Sequence, residues 1–373
     1  MPDGSADLKA LLAVVEMIAK TVQENKLFNK LLIIKSTVPP GTTRKVKEIV
    51  QKIIASTAIV DAPNTANASS AILVEVASNP EFLKQGNAVY DFNHPDKIVV
   101  GATSERAFQV LRKIYQGLIK SYIPYLEMEL ETAEMTKYAN NAFLATKISF
   151  INEIANICAL TGADVKLVAK AIGMDYRIGP KFLNAGIGYG GSCFPKDVLA
   201  LVNAARQEGY QAKLLQEVHA LNERQKRLLV PQIIAKLQEV QGTTITLWGT
   251  SFKPKTNDLR SAPALVLIEE LLQRGGKEVN LRLYDPISLP DVKKIFATNA
   301  AFNSHITYCS SVEESVEGSN LIVLVTEWDE FRNVSFAELG KLMKNKIIFD
   351  GRNIYDPEAV REEGFAYYGV GRK

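Results

Sequence analysis

One cysteine stands in a glycine-rich stretch that runs from Gly186 to Asp197. Glycines at positions 186, 188, 190 and 191 precede Cys193, and Asp197 follows it by four residues. Glycine lets a backbone reach positive φ and approach a ligand closely, and the free N–H groups of such a loop can bind an anion. A cysteine held there is a candidate covalent nucleophile, although a glycine turn beside a buried structural cysteine gives a similar pattern.

The residues after the cysteine, Cys-Phe-Pro-Lys-Asp at 193–197, favour the catalytic interpretation. Together with the glycines they resemble the active-site motif of the UDP-glucose 6-dehydrogenases, in the UDP-glucose/GDP-mannose dehydrogenase family. The resemblance covers essentially the whole chain, and further matching segments follow in the family's order at 35–39, 79–83, 137–143, 252–254 and 350–353. It implies an enzyme that oxidises the C6 alcohol of UDP-glucose to a carboxylate, with NAD as cofactor. Related nucleotide sugars, GDP-mannose and UDP-N-acetylmannosamine, are the alternatives.

The family's chemistry implies a role for Cys193: its thiolate traps an aldehyde as a thiohemiacetal, which is oxidised to a thioester. Lys137 and Asn141 lie four residues apart, so a helix would project both from one face. Spacing alone favours a solvated face, but the resemblance implies that the two stabilise a developing alkoxide. For Asp197, orienting a water, holding Lys137 and capping a helix that begins near Val198 all stay open.

Two further residues are expected to assist hydrolysis. Thr37 follows an apolar strand, where open α/β sheets place ligand contacts, and the matching threonine in the family positions the hydrolytic water. Glu81 matches a glutamate near the sugar and is a candidate base. Four residues later, where relatives often carry a second carboxylate, this chain has Gln85, so Glu81 would transfer protons alone while Gln85 orients water.

The resemblance also implies a set of binding residues, and no metal site. Arg177 matches an arginine that reaches into the neighbouring subunit's site, and Arg260 matches a contact to the dinucleotide phosphates. The residues expected to bind substrate are Phe82, Leu83, Arg177, Phe182, Tyr189, Gly190, Lys253 and Arg352, and those expected at the cofactor are Thr37, Glu81, Lys196 and Arg260.

Composition excludes several classes of protein. A net charge of +3 with dispersed basic residues argues against nucleic acid as a partner. No continuous apolar run approaches the ~18 residues of a membrane span, and the N-terminal residues do not resemble a signal peptide. Three widely spaced cysteines argue against a disulfide framework or a zinc site and fit a reducing cytoplasm. We therefore expect a cytoplasmic protein without membrane contacts, and the resemblance implies an enzyme of polysaccharide biosynthesis.

The apolar pattern predicts an α/β protein with α/β alternation on either side of a helical region. The resemblance implies that these are two Rossmann-like, doubly wound parallel-sheet domains joined by a helical central domain. We place the NAD-binding domain at 1–128, the central domain at 129–238 and the UDP-sugar-binding domain at 239–373. The central domain should contain a long helix over 131–160 with Phe143, Phe150, Ile151 and Ile154 in its core. Its long amphipathic helix could pack within the chain or against a second copy, and the resemblance favours a homodimer or higher homo-oligomer.

The N-terminus departs from the family pattern. Members begin with a strand, a Gly-x-Gly-x-x-Gly loop and a helix, whose N-terminus binds the pyrophosphate of NAD. No such element precedes Asp3, so we expect an incomplete first domain, a strand at 31–34 without neighbours and weak NAD binding. The chain would then be either a shortened version of an ordinary dehydrogenase or a non-catalytic UDP-sugar-binding protein.

Overall fold

The computed structural model describes residues 4–58, 73–241, 243–275 and 279–372. The chain forms two compact units, Met1–Asn141 with Leu199–Ala212, and Ala142–Val198 with Lys213–Lys373. The boundaries of the three predicted domains stay a prediction.

The first unit alternates helices and strands before one long helix. Its elements are α1 (Lys9–Glu24), β1 (Lys30–Ile34), α2 (Thr42–Ala58), β2 (Val74–Ser78), α3 (Ala88–Asn93), β3 (Ile98–Gly101), α4 (Glu105–Ile114), α5 (Gln116–Lys120) and β4 (Tyr125–Met128), followed by α6 (Leu130–Thr161), which continues into the second unit. The α/β alternation predicted from the sequence is confirmed.

The sheet of this unit has the order β1-β2-β3-β4. β1 pairs in parallel with β2 from Lys30–Val74 to Ile34–Ser78, so the prediction that the strand at 31–34 lacks neighbours is wrong. β3 and β4 are also parallel, whereas β2 and β3 meet in one antiparallel pair. Val15, Val46 and Val76 are fully buried in a core between this sheet and the helices α1 and α2, so the unit packs well.

The second unit holds the remaining helices and a second sheet. Its elements are α7 (Val165–Gly173), α8 (Phe194–Gln207, of which the end belongs to the first unit), α9 (Lys213–Gln225), α10 (Val230–Glu239), β5 (Thr244–Trp248), α11 (Pro263–Arg274), β6 (Asn280–Tyr284), α12 (Leu289–Ala297), α13 (Ala300–Asn303), β7 (Ile306–Tyr308), α14 (Val312–Val316), β8 (Leu321–Leu324), α15 (Asp329–Arg332), α16 (Phe336–Leu342), β9 (Ile347–Asp350), α17 (Pro357–Glu362) and β10 (Ala366–Gly369).

Six parallel strands form this sheet, in the order β10-β9-β8-β5-β6-β7. This is the doubly wound order of a Rossmann fold, in which the direction of winding reverses between β5 and β8. Alternate residues of each strand face opposite sides: Leu321 and Val323 join one apolar core, and Ile322 and Leu324 join the other. Both faces of the sheet are therefore covered, as its continuous apolar strands predicted.

Helix starts and stops agree only in part with the sequence pattern. The sequence predicts a helix capped by Ser261, begun by Pro263 and ended by Gly275; Pro263 does begin α11 and Gly275 ends it, but the N-cap is Ala262. The sequence also predicts Asp3 or Ser5 as the cap of the first helix. α1 begins after Leu8, whose side chain makes no capping bond, so Ser5 is not its cap, and Asp3 lies outside the described residues. Pro231, which was expected to kink or end the preceding helix, lies at the start of α10. Proline is favoured there because the first helical N–H has no partner inside the helix.

The core predicted for the long helix α6 is only half right. Ile151 is fully buried and Ile154 packs against the core, but Phe143 is 65% exposed and Phe150 49% exposed. By length and composition α6 is also the one described helix that could cross a membrane. Core helices of water-soluble proteins pass the same test, so this is weak evidence for a span.

Candidate active site

A cavity of about 640 Å³ opens at the carboxyl ends of the second sheet's strands. Phe252 and Lys253 follow β5, Glu327 follows β8, and Arg352 follows β9. Open α/β sheets bind ligands at this edge, next to the strands where the winding reverses. The position of the cavity thus follows from the strand order alone.

The cavity carries a strong excess of positive charge. Its lining includes five basic side chains and one acidic one, Lys166, Lys181, Lys253, Arg332, Arg352 and Glu327. A second cavity of about 490 Å³ shares Lys166 and Arg352 with it. Such a lining suits a ligand with several negative charges, for example a pyrophosphate.

Three aromatic rings form an apolar wall of the same cavity. Phe194 meets Tyr189 edge to face at 5.7 Å between centroids and meets Phe182 at 6.2 Å. Phe182 has φ of +65°, an unfavourable conformation for a phenylalanine that its packing must compensate. The cavity therefore combines an aromatic, apolar wall with basic side chains, as a nucleotide requires.

Arg352 is fixed by backbone carbonyls. Its Nε donates to Val325 O at 2.6 Å, and its Nη1 donates to Gly188 O at 2.9 Å. Glu327 lies 3.4 Å from Nε. The guanidinium thus links the strand ends to the glycine loop while it lines the cavity, which agrees with a binding position.

The glycine loop leads directly to Cys193 and the start of α8. Cys193 is exposed, in contrast to the buried Cys158 and Cys309. The N–H of Asp197 donates to Cys193 O at 2.8 Å, so Asp197 lies within the first turn of α8 and does not cap a helix beginning near Val198. Its buried carboxylate accepts a bond from Lys196 Nζ at 2.6 Å. A thiolate at Cys193 would stand at the positive end of the helix dipole.

Arg260 approaches the same loop. The loop's Gly191 N–H donates to Arg260 O at 2.8 Å. Asp258 holds the Arg260 side chain through Nε at 2.9 Å and Nη2 at 2.7 Å. The bond to Asp258 raises the pKa of Arg260, and the nearby Cys193 contributes in the same direction. Arg260 is therefore a fixed cation within electrostatic range of the thiol.

In the first unit, Lys137 is buried on α6 and pairs with Glu81, with 3.4 Å between Nζ and Oε1. The other carboxylate oxygen of Glu81 accepts a bond from Leu83 N at 2.5 Å. The Phe82 ring lies under two ammonium groups, Lys97 at 4.4 Å and Lys137 at 5.2 Å. Residues predicted separately from the motifs at 79–83 and 137–143 are therefore neighbours.

Asn79 holds the turn that carries Glu81. Its Oδ1 accepts bonds from Lys35 Nζ at 3.1 Å and Tyr115 Oη at 2.5 Å, and its Nδ2 donates to Val99 O at 2.8 Å. The pKa of Lys35 is lowered by burial, with the charge of Lys137 adding to the effect and that of Glu81 opposing it. We call Lys35, Lys97 and Lys137 the lysine cluster. Lys137 and Lys35 interact with the charge of Glu81, and Lys97 lies over the neighbouring Phe82 ring, so three cations are available to an anionic ligand.

The structure places four more of the predicted residues. Thr37 is half-buried just after β1, Asn141 is buried on α6, and Gly190 lies against the backbone of Ser261. Arg177 is 73% exposed and forms a fork with Asp175. Among the described residues, no group of His, Cys, Asp and Glu could hold a metal ion.

Sequence reasoning missed the polar residues that hold these elements. Asn79 and Lys35 belong to the matching segments at 79–83 and 35–39, but no role was predicted for either residue. Asn222 and Gln225 lie on α9 on the same face as the apolar Val218 and Leu221, and all four are buried. Amides on an otherwise apolar helix face could have identified these residues, because a buried amide needs hydrogen-bond partners in a neighbouring element.

Comparison with known proteins identifies the family to which the chain is related. Models of the UDP-glucose/GDP-mannose dehydrogenase family match its NAD binding domain at residues 1–119, its central domain at 131–224 and its UDP binding domain at 246–357. A UDP-glucose 6-dehydrogenase of Pseudomonas aeruginosa is 43% identical over 99% of this chain and 78% of its own length. The UDP-glucose 6-dehydrogenase TuaD of Bacillus subtilis is 40% identical over 99% of this chain and 74% of its own.

A solved structure agrees in fold. The UDP-glucose dehydrogenase of the archaeon Pyrobaculum islandicum superposes with a TM-score of 0.82 and 31% identity, over 100% of this chain and 78% of that one. A UDP-D-ManNAc dehydrogenase from Pyrococcus horikoshii gives a TM-score of 0.77 at 26% identity, over 98% and 77%. The predicted fold of two α/β regions and a helical central region is confirmed.

One prediction about the first domain is wrong. Because the NAD binding domain matches residues 1–119, the N-terminal part of that domain cannot be taken as missing. The prediction relied on the absence of a single glycine pattern, whereas the family model matches the residues that are present. Weak NAD binding was inferred from the same pattern and loses its basis.

Proposed function

The chain belongs to the UDP-glucose/GDP-mannose dehydrogenase family, and from this premise we propose that it oxidises C6 of UDP-glucose to the carboxylate of UDP-glucuronate. The observation that carries the substrate is the cavity of the second unit, with five basic side chains around an aromatic wall. Those features suit the pyrophosphate and the base of a UDP-sugar. The family is one of NAD-dependent enzymes, and NAD, when bound, accepts the hydrides.

Residues for the cofactor are available in both units. Thr37 and Glu81 follow β1 and β2, at the strand ends where such sheets bind dinucleotides. The lysine cluster supplies the positive charge that a dinucleotide needs. We propose that these residues, with Lys196 and Arg260, contact NAD.

In the first oxidation, the C6 hydroxyl loses its proton and a hydride and becomes an aldehyde. We assign Lys137 and Asn141 to the developing alkoxide, because an ammonium and a carboxamide both donate to it. The pairing of Lys137 with Glu81 supports this assignment, since the carboxylate keeps the ammonium oriented.

In the second oxidation, the Cys193 thiolate adds to the aldehyde carbon and forms a thiohemiacetal. Loss of a hydride and the hydroxyl proton leaves a thioester, and water then displaces the thiolate to give the acid. Cys193 stands at the N-terminus of α8 with the Arg260 cation within electrostatic range. Glu81 acts as the base for the water, with Thr37 and Gln85 orienting it.

Replacing Cys193 by serine tests this mechanism. The variant should bind UDP-glucose with nearly unchanged affinity but form no UDP-glucuronate, because an alkoxide does not replace the thiolate as leaving group. NADH absorbance and product chromatography, with UDP-glucose, GDP-mannose and UDP-N-acetylmannosamine in parallel, measure both activity and preference. Continued formation of acid by the serine variant would remove Cys193 from the mechanism.

The cationic cavity has its own test. Lys253→Ala should weaken UDP-glucose binding, whereas Lys344→Ala, at an exposed lysine that does not line the cavity, is the matched control. Isothermal titration with UDP-glucose measures both variants. Equal affinities for the two would show that the substrate binds elsewhere.

We also propose a homodimer, since α6 presents an apolar stripe to solvent. Met135, Phe143, Phe150, Ile157 and Leu160 are all at least 43% exposed and lie along one face, at spacings of seven or eight residues up to Ile157 and three residues from there to Leu160. A second copy would cover this stripe and could bring its Arg177 to a neighbouring site. Phe143→Glu with Phe150→Glu should yield a monomer in analytical ultracentrifugation, with Met17→Glu, at an exposed apolar position of α1, as the control. An unchanged sedimentation coefficient would exclude this face as the interface.

The free cysteines support a cytoplasmic location, since a reducing compartment keeps thiols unpaired. There, a nucleotide sugar acid would be a precursor for polysaccharides. Fractionation of the source cells with activity measurement checks the location.

A further inference from the structure

Side-chain amides from two helices hold the backbone of the glycine loop. Asn152 of α6 accepts a bond from Gly186 N at 2.8 Å, and Gln225 of α9 donates to Gly186 O at 2.8 Å. Asn222 of α9 accepts from Tyr189 N at 2.9 Å and donates to Tyr189 O at 3.0 Å. The amides thus satisfy the N–H and C=O of both residues, as a neighbouring strand would.

These amides are out of reach of water. Asn152, Asn222 and Gln225 are 1%, 0% and 2% exposed. A bond lost in such a place leaves a buried polar group without a partner, which costs more than the bond itself contributes. The Oδ1 of Asn222 would also lie only 2.9 Å from a Cβ at Gly188, so the loop needs a glycine to approach this amide.

The other side of the loop is held by the second sheet. Ile187 N donates to Gly351 O at 3.0 Å, and Gly188 O accepts from Arg352 Nη1 at 2.9 Å. The loop is therefore held between the amides of α6 and α9 on one side and the strand ends on the other. The Tyr189 ring packs edge to face on Phe194, the residue after Cys193. Holding Tyr189 in place therefore also limits the movement of the cysteine.

We propose that Asn222 and Gln225 are positioning residues that hold the glycine loop so that Cys193 is presented in its reactive geometry. The proposal rests on the covalent role of Cys193 described above. Neither amide reaches substrate or cofactor in this account, since both act on the backbone at Gly186 and Tyr189. Loss of either should displace the loop, and with it the thiol.

The three cysteines offer a readout that does not depend on activity. Cys193 is exposed while Cys158 and Cys309 are buried, so iodoacetamide should modify Cys193 selectively in the folded protein. Its rate constant, followed by mass spectrometry of the peptide that contains Cys193, reports how the loop presents the thiol. In Asn222→Ala and in Gln225→Ala we expect this rate constant to change about fivefold or more, and kcat to fall by roughly 10²-fold, the cost of misplacing a reacting group by about 1 Å. KM for UDP-glucose should change much less.

Asn320 supplies a matched control. It is also buried, and its Oδ1 accepts two backbone N–H groups, from Thr243 at 3.1 Å and Thr244 at 3.0 Å, but it lies on the second sheet away from the loop. Asn320→Ala should lower the melting temperature as Asn222→Ala does, while Cys193 keeps its alkylation rate and kcat. The double variant of Asn222 and Gln225 should lose less kcat than the product of the two single losses, since both residues hold the same loop.

The outcomes separate the two hypotheses. An unchanged alkylation rate in both single variants would overturn the positioning role, and so would an equal change in Asn320→Ala. If the rate changes as expected but the parent protein makes no NADH, the positioning of Cys193 stands and the proposed function fails. Asn222→Asp keeps the acceptor for Tyr189 N but loses the donor, so its rate should lie between those of the parent and Asn222→Ala.

Discussion

Replacing Gly190 by alanine would add one methyl group where the loop has no room. An ideal Cβ would lie 2.5 Å from Ser261 O, 2.9 Å from its carbonyl carbon and 3.0 Å from Ala262 Cα. These are backbone atoms, so no side-chain rotation relieves the contact. Ordinary contact starts at 3.4 Å, which is 0.9 Å beyond 2.5 Å, so the loop or its neighbour must move by about that distance.

Such a shift occurs three residues before Cys193. We expect kcat for NADH formation from UDP-glucose to fall by roughly 10²-fold, because a reacting group displaced by about 1 Å loses that much rate. The crowding should also destabilise the fold by about 1–3 kcal/mol. Because φ at Gly190 lies outside the left-handed region, the effect would be steric and not one of backbone strain.

The assay is the initial rate at saturating UDP-glucose and NAD, combined with thermal unfolding. Gly117→Ala is the control, since a Cβ at Gly117 meets nothing within 4 Å and the residue lies in helix α5. Alanine there should stabilise the helix by up to about 1 kcal/mol and leave kcat unchanged. A Gly190→Ala enzyme with the parent's kcat and melting temperature would refute the reasoning, because the loop would then have space that the structure does not show.

Two further predictions concern charged residues. Lys137→Ala should lower kcat by roughly 10²–10³-fold with little change in KM for UDP-glucose, because its ammonium is assigned to charge that develops in the transition state. Lys52→Ala, at an exposed lysine of α2 outside the lysine cluster, is the control. An effect confined to KM would make Lys137 a binding residue. Asp285 is buried, which raises its pKa, but the N–H groups of Ser288, Thr250, Ile287 and Ser251 outweigh burial and hold the pKa below its ordinary 3.8. The ionised carboxylate thus stabilises the fold at neutral pH, and this stabilisation is lost as the pH falls below about 3.8. Asp285→Asn should lower the free energy of unfolding by about 2 kcal/mol or more at pH 7, and chemical unfolding at several pH values should show a weaker loss of stability in acid than in the parent. If the free energies of unfolding of parent and variant fell in parallel with pH, the lowered pKa of Asp285 would be contradicted.

The central strands of the second sheet could be predicted because both of their faces are buried. Leu321–Leu324 and Ile347–Asp350 read as continuous apolar runs and lie inside the sheet. β4, β7 and β10 were missed, and each lies at an edge of its sheet. β1 is also an edge strand, but it contains the apolar run at 31–34 and was predicted. β4, β7 and β10 have only three or four residues each and lack such a run.

Exposure on α6 could not be predicted from residue type. Phe143 and Phe150 are apolar at helical spacing, which identifies a face but not what covers it. Likewise, Ser261 before Pro263 looks like a helix cap, yet its φ is +52° and Ala262 takes the cap position. Gly191 N donates to Arg260 O beside Ser261, and a contact between residues so far apart in sequence leaves no local pattern.

The cysteine motif was recognised from one contiguous stretch, but the stretch does not fix its own geometry. Glycine has more conformational freedom to lose than any other residue, so a loop with four glycines is the segment least able to hold a nucleophile still. Here that freedom is removed by residues far away in sequence, Asn152, Asn222, Gln225 and Arg352. Glycine permits the close approach, and the buried amides and the arginine supply the restraint. A search that weighs Gly186–Asp197 alone would therefore find the nucleophile but not the residues that make its position reproducible.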